Sequence, residues 1–262
     1  ANRGHTFFVY GTLPIFITRY LGEALGQTDY NAITLLGRRV SAVFDILSIL
    51  LVYAIGTKLY KKWVGLLGAA FYALAVLPIQ LSHFATVDTA ANTFALAAVL
   101  GAVWASRQKP SPTEGEIQNE SDDPELKKSS NLSKTGKLLL ELAPYLLFGV
   151  GLGAAAASKI NAVVFALILP LVEWVRLMKL DPEKRGTAIL PILRNLAVAA
   201  LVSFLIFRIG QPYAFDGPGF FNMGIDDNWW ASLQNLRIQA SGDVDFPPAL
   251  QWARRPITFS WE

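Results

Sequence analysis

The sequence predicts an all-α fold: a polytopic transmembrane helical bundle of about six spans with an interfacial helix beside it. Three observations carry that expectation. Six stretches, 40–58, 63–81, 88–106, 138–158, 160–178 and 188–208, each meet or approach the roughly 20 apolar residues a helix needs to cross bilayer hydrocarbon. The basic residues near their ends fall on alternate connections. Composition agrees: 53% of residues are hydrophobic, 16% are charged and the mean hydropathy is +0.37, against about 25% charge in an average soluble domain.

The chain opens with a segment, 1–36, expected outside the membrane. Its apolar run from Phe7 to Leu25 is interrupted by Gly11, Thr12 and Pro14, then by Arg19 and Glu23. From Pro14 onward, Ile15, Ile17, Leu21 and Leu25 suit an amphipathic helix lying in the interface rather than a span. Residues 37–107 hold three spans, with Lys58, Lys61 and Lys62 in the turn between the first two. Residues 108–137 carry Lys109, Lys127, Lys128, Lys134 and Lys137 among Ser, Pro, Asp and Glu. They hold almost no aliphatic bulk, too little to offset ordering entropy, and are expected to be a disordered cytoplasmic linker. Residues 138–209 hold three further spans, and Arg176, Lys179, Lys184 and Arg185 follow the fifth. Positive connections stay cytoplasmic. The three basic connections therefore share the inner side, and the turns near 80–88 and 158–160 lie outside with the segment 210–262. In that last segment Trp229, Trp230, Trp252 and Trp261 suit anchoring among headgroups. Asp216, Asp226, Asp227, Asp243 and Asp245 keep it out of the hydrocarbon.

The net charge of +3 and the pI near 9.1 do not point to a nucleic-acid partner, because the basic residues gather at membrane edges. With no cysteine, a disulfide framework, a thiolate metal site and a Cys nucleophile are all excluded. The chain begins at Ala1 without a basic leader and ends at Trp261 and Glu262 within an aromatic, Pro-containing segment. These features predict an internal portion of a longer protein.

Ionisable residues inside or at the mouth of a span are functional candidates, with a partner to be sought. Asp88 stands at the outer start of the third span, and Lys159 interrupts an uncharged run between the fourth and fifth. Arg38 and Arg39 stand at the outer end of the first span, with Asp45 about two turns inside. Arg208 ends the sixth span, ahead of Gln211 and Tyr213. With His83, these form a carboxylate and several cations at one membrane face, a set suited to an anionic lipid-linked substrate and an acceptor that must lose a proton. Plainer roles stand beside each. Arg38 and Asp45, seven residues apart on one helix face, neutralise one another. His83 is an interfacial hydrogen-bonding residue, Lys159 snorkels to headgroups, Asp88 caps the third span and Arg208 is an anchor.

Four stretches resemble a known family, the membrane glycosyltransferases of the C type in glycosyltransferase family 39, the group of protein O-mannosyltransferases and aminoarabinose transferases. They are Phe8 to Phe16, Gly37 to Asp45 leading to the Lys61–Lys62–Trp63 turn, His83 to Thr89, and Gly153 to Asn161. The resemblance implies a multi-pass enzyme of a bacterial plasma membrane, its active face outward. It implies transfer of a sugar from a polyprenyl-phosphate carrier to a protein or lipid acceptor. In that scheme Asp88 serves catalysis near the acceptor or a bound divalent metal, and Lys159 contacts the carrier phosphate. Tyr10 is a further substrate contact, and Arg208, Gln211 and Tyr213 line the site; Arg38, Arg39 and His83 are added as substrate contacts from the convergence of charge at the same face. The family's base is an acidic residue in a first outer loop, which would precede Ala1. Two other classes compete: a non-catalytic subunit that keeps the scaffold within a larger membrane complex, and a transporter, whose broken helices the Gly149–Gly153 run would supply.

Overall fold

The computed structural model describes residues 10–108, 134–217 and 219–241. Residues 109–133 of the expected linker, with Lys109, Lys127 and Lys128, the start of the chain including Phe8, and Asp243, Asp245, Trp252 and Trp261 lie outside the described residues, while Lys134 to Lys137, expected in that linker, already belong to a helix. The helices are α1 (Leu13–Ala24), α2 (Tyr30–Leu59), α3 (Lys62–Ala73), α4 (Val76–Ser82), α5 (Val87–Arg107), α6 (Lys134–Ser158), α7 (Ile168–Lys179), α8 (Pro182–Gly210) and α9 (Asp227–Ser241). Two 3-10 segments, Ile160–Leu167 and Pro212–Ala214, precede α7 and follow α8. Among the described residues the strand-like pairing is a single isolated bridge between Phe215 and Ile225.

Five segments are long and apolar enough to cross a membrane: Tyr30–Leu59, Val87–Arg107, Leu138–Ser158, Ile160–Lys179 and Pro182–Gly210. The α3–α4 pair, bent by 61°, makes a sixth when taken as one broken span. The chain is thus an all-α, multi-pass integral membrane protein. Large apolar side chains such as Leu50, Phe71, Leu190 and Leu201 are exposed around the bundle, the surface that lipid covers.

Four of the element boundaries that differ from those expected have a local reason. The first span was expected from residue 40, but α2 begins at Tyr30, where the Asp29 carboxylate accepts the Asn31 and Ala32 amides at 3.1 Å. Arg38 and Arg39 therefore lie within a continuing helix rather than at its end. The expected second span breaks at Leu74 and Ala75, because Pro78 cannot donate to the Leu74 carbonyl and its ring would strike it. The expected fifth span starts as the 3-10 segment at Ile160, and α8 starts at Pro182, a proline in the first turn that has no amide hydrogen to leave unpaired.

Helices α5 and α6 form the centre: half of each one's apolar window is buried, against 11% in α2, the Ile160–Lys179 segment and α8. Small residues let the backbones approach. Ala98, Ala102 and Ala105 of α5 pack on Tyr145, Phe148 and Leu152 of α6. The run from Gly149 to Gly153 does not break α6; it lets neighbours close on both sides. A Cβ at Gly151 would lie 2.5 Å from the Ala98 nitrogen of α5, and one at Gly149 would lie 2.6 Å from the Ala199 oxygen of α8. The transporter reading loses its one sequence hint here, since α6 is continuous from Lys134 to Ser158.

Charged side chains tie the helices together at both ends. At one, Arg107 donates to the Leu59 carbonyl at 2.8 Å, Gln108 donates to the Leu140 and Glu141 carbonyls at 3.2 and 3.1 Å, and Arg194 pairs with Glu141. There too the buried Glu173 carboxylate accepts from Tyr145 at 2.7 Å and from Arg176 at 2.8 and 3.0 Å, while Arg176 reaches the Gln108 carbonyl at 3.0 Å. At the other end Arg38 donates to the His83 carbonyl at 2.8 Å and Gly11 to the Ser158 carbonyl at 3.0 Å. The basic connections near Lys58, Arg107 and Arg176 thus share one end of the bundle.

Candidate functional site

Helices α2 and α5 run parallel with a constant offset of 45 residues: Arg38 meets His83, Ser41 meets Thr86, and Ser48 lies 2.8 Å from Thr93. By this register Asp45 stands level with Ala90, two residues or about 3 Å deeper than Asp88. Asp88 lies in the first turn of α5, where the helix dipole favours a carboxylate. Asn92, four residues on, shares its face.

Lys159 reaches the same place from α6. The helix ends as Ser158 turns its hydroxyl back to the Ala154 carbonyl at 2.8 Å, and Lys159 adopts extended angles, φ −155° and ψ 115°. Its Nζ donates to Asp88 Oδ1 at 2.5 Å, with the two side chains 42% and 32% exposed. Beneath this pair, the Tyr72 hydroxyl of α3 donates to Asp45 Oδ1 at 3.2 Å. The Asn92 amide donates to the Tyr72 oxygen at 2.8 Å and to Ser48 Oγ at 3.3 Å. The bend after α3 turns Leu77, Pro78 and Leu81 of α4 along the opposite wall. With Asp45, Tyr72, Asp88, Thr89, Asn92 and Lys159 they line a cleft of about 420 Å³, within the size range of small-molecule sites.

Of the residues singled out in the sequence, Asp88 and Lys159 meet directly in this cleft. Thr86, not Asp88, occupies the N-cap position of α5, and Lys159 is held by Asp88 rather than reaching free toward headgroups. Arg38 and Asp45 do not neutralise one another: Arg38 is taken by the His83 carbonyl, and Asp45 by Tyr72. Arg39 is exposed beside Arg38, and the His83 ring sits with Nδ1 2.6 Å from the Ile79 carbonyl, outside the cleft lining.

The remaining candidates build a neighbouring junction. Gln211 Oε1 accepts the Thr12 amide at 2.6 Å and its hydroxyl at 2.8 Å, tying α1 to the end of α8. The buried Arg208 donates to the Gly219 carbonyl at 2.7 Å and to that of Phe220 at 3.2 Å, and stacks on Phe215 at 4.7 Å. It folds the following segment back onto α8. Tyr213 packs at 6.4 Å from the Phe16 ring, half exposed. Tyr10 is exposed, one residue from the Gly11–Ser158 contact that brings the N-terminal segment beside Lys159.

The hydrogen-bonded set of Tyr72, Asn92, Ser48 and Thr93 around Asp45 was missed in the sequence. Its available signal was the recurrence of polar residues in two apolar runs at the offset of 45. The buried Glu173 was missed as well, although it is an acid inside an apolar stretch. Among the described residues no cluster of three or more His, Cys, Asp or Glu side chains forms a metal-ligand set, and the neighbour of Asp88 is an ammonium.

Comparison with models of known protein families finds no match, and neither a curated protein nor a solved structure is found to be similar.

Proposed function

We propose that this chain is the membrane portion of a glycosyltransferase that moves a sugar from a polyprenyl-phosphate carrier to a protein or lipid acceptor. The active face would be the outer face of a bacterial plasma membrane. The observation that carries the reading is the meeting of Lys159 with Asp88 at a cleft walled on one side by apolar α4. An isoprenoid phosphate needs a cation at the membrane edge and apolar surface beside it, and both are present.

In this scheme the carrier phosphate competes for the Lys159 ammonium. Its arrival loosens Asp88, whose carboxylate then accepts a hydrogen bond from the acceptor hydroxyl. The acceptor oxygen attacks the anomeric carbon as the bond from that carbon to the phosphate oxygen breaks. The electron pair leaves with the polyprenyl phosphate, steadied by Lys159, and the acceptor proton passes to a carboxylate base. The family resemblance assigns that base to a preceding outer loop, with Asp88 assisting.

The same ion pair favours a second reading, in which Asp88 and Lys159 are a structural tie in a non-catalytic subunit. A charge exchange separates the two. In the full-length protein, Asp88→Lys combined with Lys159→Asp preserves a structural tie but puts the cation on the wrong helix for the phosphate. Transfer of labelled sugar from a polyprenyl-phosphate donor should then be lost while the exchanged protein stays folded. Transfer that survives the exchange, or that is absent from wild type across a panel of such donors, would overturn the enzyme reading.

A further inference from the structure

Asp45 is a carboxylate inside a span whose needs the fold leaves unmet. Among the described residues no cation pairs with it, and its hydrogen-bond donor is the Tyr72 hydroxyl at 3.2 Å, whereas an ionised carboxylate has about four acceptor positions. Intramembrane carboxylates without a partner are expensive and mark sites. Asn92 is oriented in a complementary way. Both of its amide hydrogens are engaged, by Tyr72 and Ser48, which leaves its carbonyl oxygen as an acceptor at the cleft. Ser48 is in turn held by Thr93, so the set is braced by the α2–α5 interface rather than by one rotamer.

The cleft therefore has two poles of opposite demand. Lys159 offers a cation at the mouth beside Asp88, while Asp45 offers an acceptor about 3 Å deeper than Asp88 along the α2–α5 register, and Asn92 one about 6 Å deeper. Leu77, Pro78 and Leu81 face them with an apolar wall. An anionic group is repelled from the deep pole, and a purely apolar chain leaves its acceptors unpaired. A ring with hydroxyl hydrogens on one edge and C–H bonds on a face satisfies both sides. We infer that Asp45, positioned by Tyr72 and accompanied by Asn92, is the subsite that accepts hydroxyl hydrogens of the carbohydrate. The ligand would then lie with its phosphate at Lys159 and its sugar pointing into the bundle. This inference rests on the lipid-linked-sugar reading above and adds the residue that tells a sugar-bearing carrier from a bare one.

The test is equilibrium binding to the full-length protein in nanodiscs. The ligands are polyprenyl phosphate alone and a panel of polyprenyl-phosphate hexoses, pentoses and amino sugars. Wild type should bind its best sugar-bearing lipid at least about tenfold more tightly than bare polyprenyl phosphate, the ratio one hydrogen bond to a charged group supports. Asp45→Asn should shrink that ratio and Asp45→Leu should abolish it, both leaving the affinity for bare polyprenyl phosphate and the melting temperature near wild type. Ser48→Ala, which alters the brace and not the acceptors, should retain most of the ratio. A sugar preference that survives Asp45→Leu overturns the subsite alone. Equal loss of both ligands in both Asp45 variants also overturns it, making Asp45 a residue of the fold. Failure of wild type to bind any of these lipids overturns the parent reading with it.

Discussion

Lys159 Nζ lies 2.5 Å from Asp88 Oδ1, although 71 residues separate the two in the chain. The contact joins the point where α6 gives way to a 3-10 segment with the first turn of α5. Both side chains remain partly exposed, so the pair itself contributes little to stability, about 0–1 kcal/mol for exposed ion pairs. A contact so inexpensive to open is suited to exchange with a ligand charge.

Removing the cation should act on the ligand and not on the fold. Lys159→Ala in the full-length protein is expected to weaken polyprenyl-phosphate binding by about ten- to a hundredfold, the range of one charge-assisted hydrogen bond. Transfer should fall by at least as much, and the melting temperature should move by no more than a few degrees. Lipid-binding assays and thermal unfolding in detergent check this, and unchanged turnover would remove the phosphate role from Lys159.

Removing the carboxylate's charge should separate rate from affinity. Asp88→Asn keeps the shape of the side chain and frees the Lys159 ammonium for the phosphate. Carrier affinity should hold or rise while the transfer rate drops by a hundredfold or more, within the range of lost acid–base assistance. Parallel loss of affinity, rate and melting temperature would mark Asp88 as purely structural.

The opposite end of the bundle should carry more of the stability. Glu173 is 1% exposed and binds Tyr145 and Arg176, which in turn holds the last carbonyl beyond α5. Glu173→Ala leaves the guanidinium without its counter-charge and should destabilise by about 3 kcal/mol. Tyr145→Phe removes one hydrogen bond and should lose about 1 kcal/mol. Thermal or denaturant unfolding in micelles reads both, and equal midpoints for both variants and wild type would leave the cluster without a stabilising role.

Sidedness is directly measurable, because the chain contains no cysteine. Single cysteines at Ser82, near the cleft mouth, and at Glu183, in the first turn of α8 at the other end, serve as reporters. In intact cells an impermeant maleimide should label Ser82→Cys and spare Glu183→Cys until the membrane is opened. The reverse pattern would turn the cleft toward the cytoplasm and exclude transfer at the outer face.

The spans, the alternation of the basic connections and a short helix around Pro14 were legible in the sequence. Each depends on the apolar or charged nature of neighbouring residues, which the bilayer sorts by transfer free energy. The candidate site was legible only in part. Asp88 and Lys159 stood out because charges in apolar runs are conspicuous. Arg208 stood out for the same reason, with Gln211 just beyond it, yet they are spent on Gly219, Phe220 and Thr12 in a junction that holds the end of α8.

The sequence by itself determined the solvent of this protein, since a chain this rich in 20-residue apolar runs has lipid as its surroundings. It also determined which residues would be charged inside them. Tertiary structure alone decided which of those charges meet. The parallel offset of α2 on α5 puts Asp45 beside Tyr72 and Asn92 instead of Arg38. The end of α6 delivers Lys159 to Asp88, and the break before α4 opens a wall. Partner choice depends on helix register and on where each helix stops. Glycine approach, proline bends and hydrogen bonds between residues distant in sequence set both, and none of these is written in local composition.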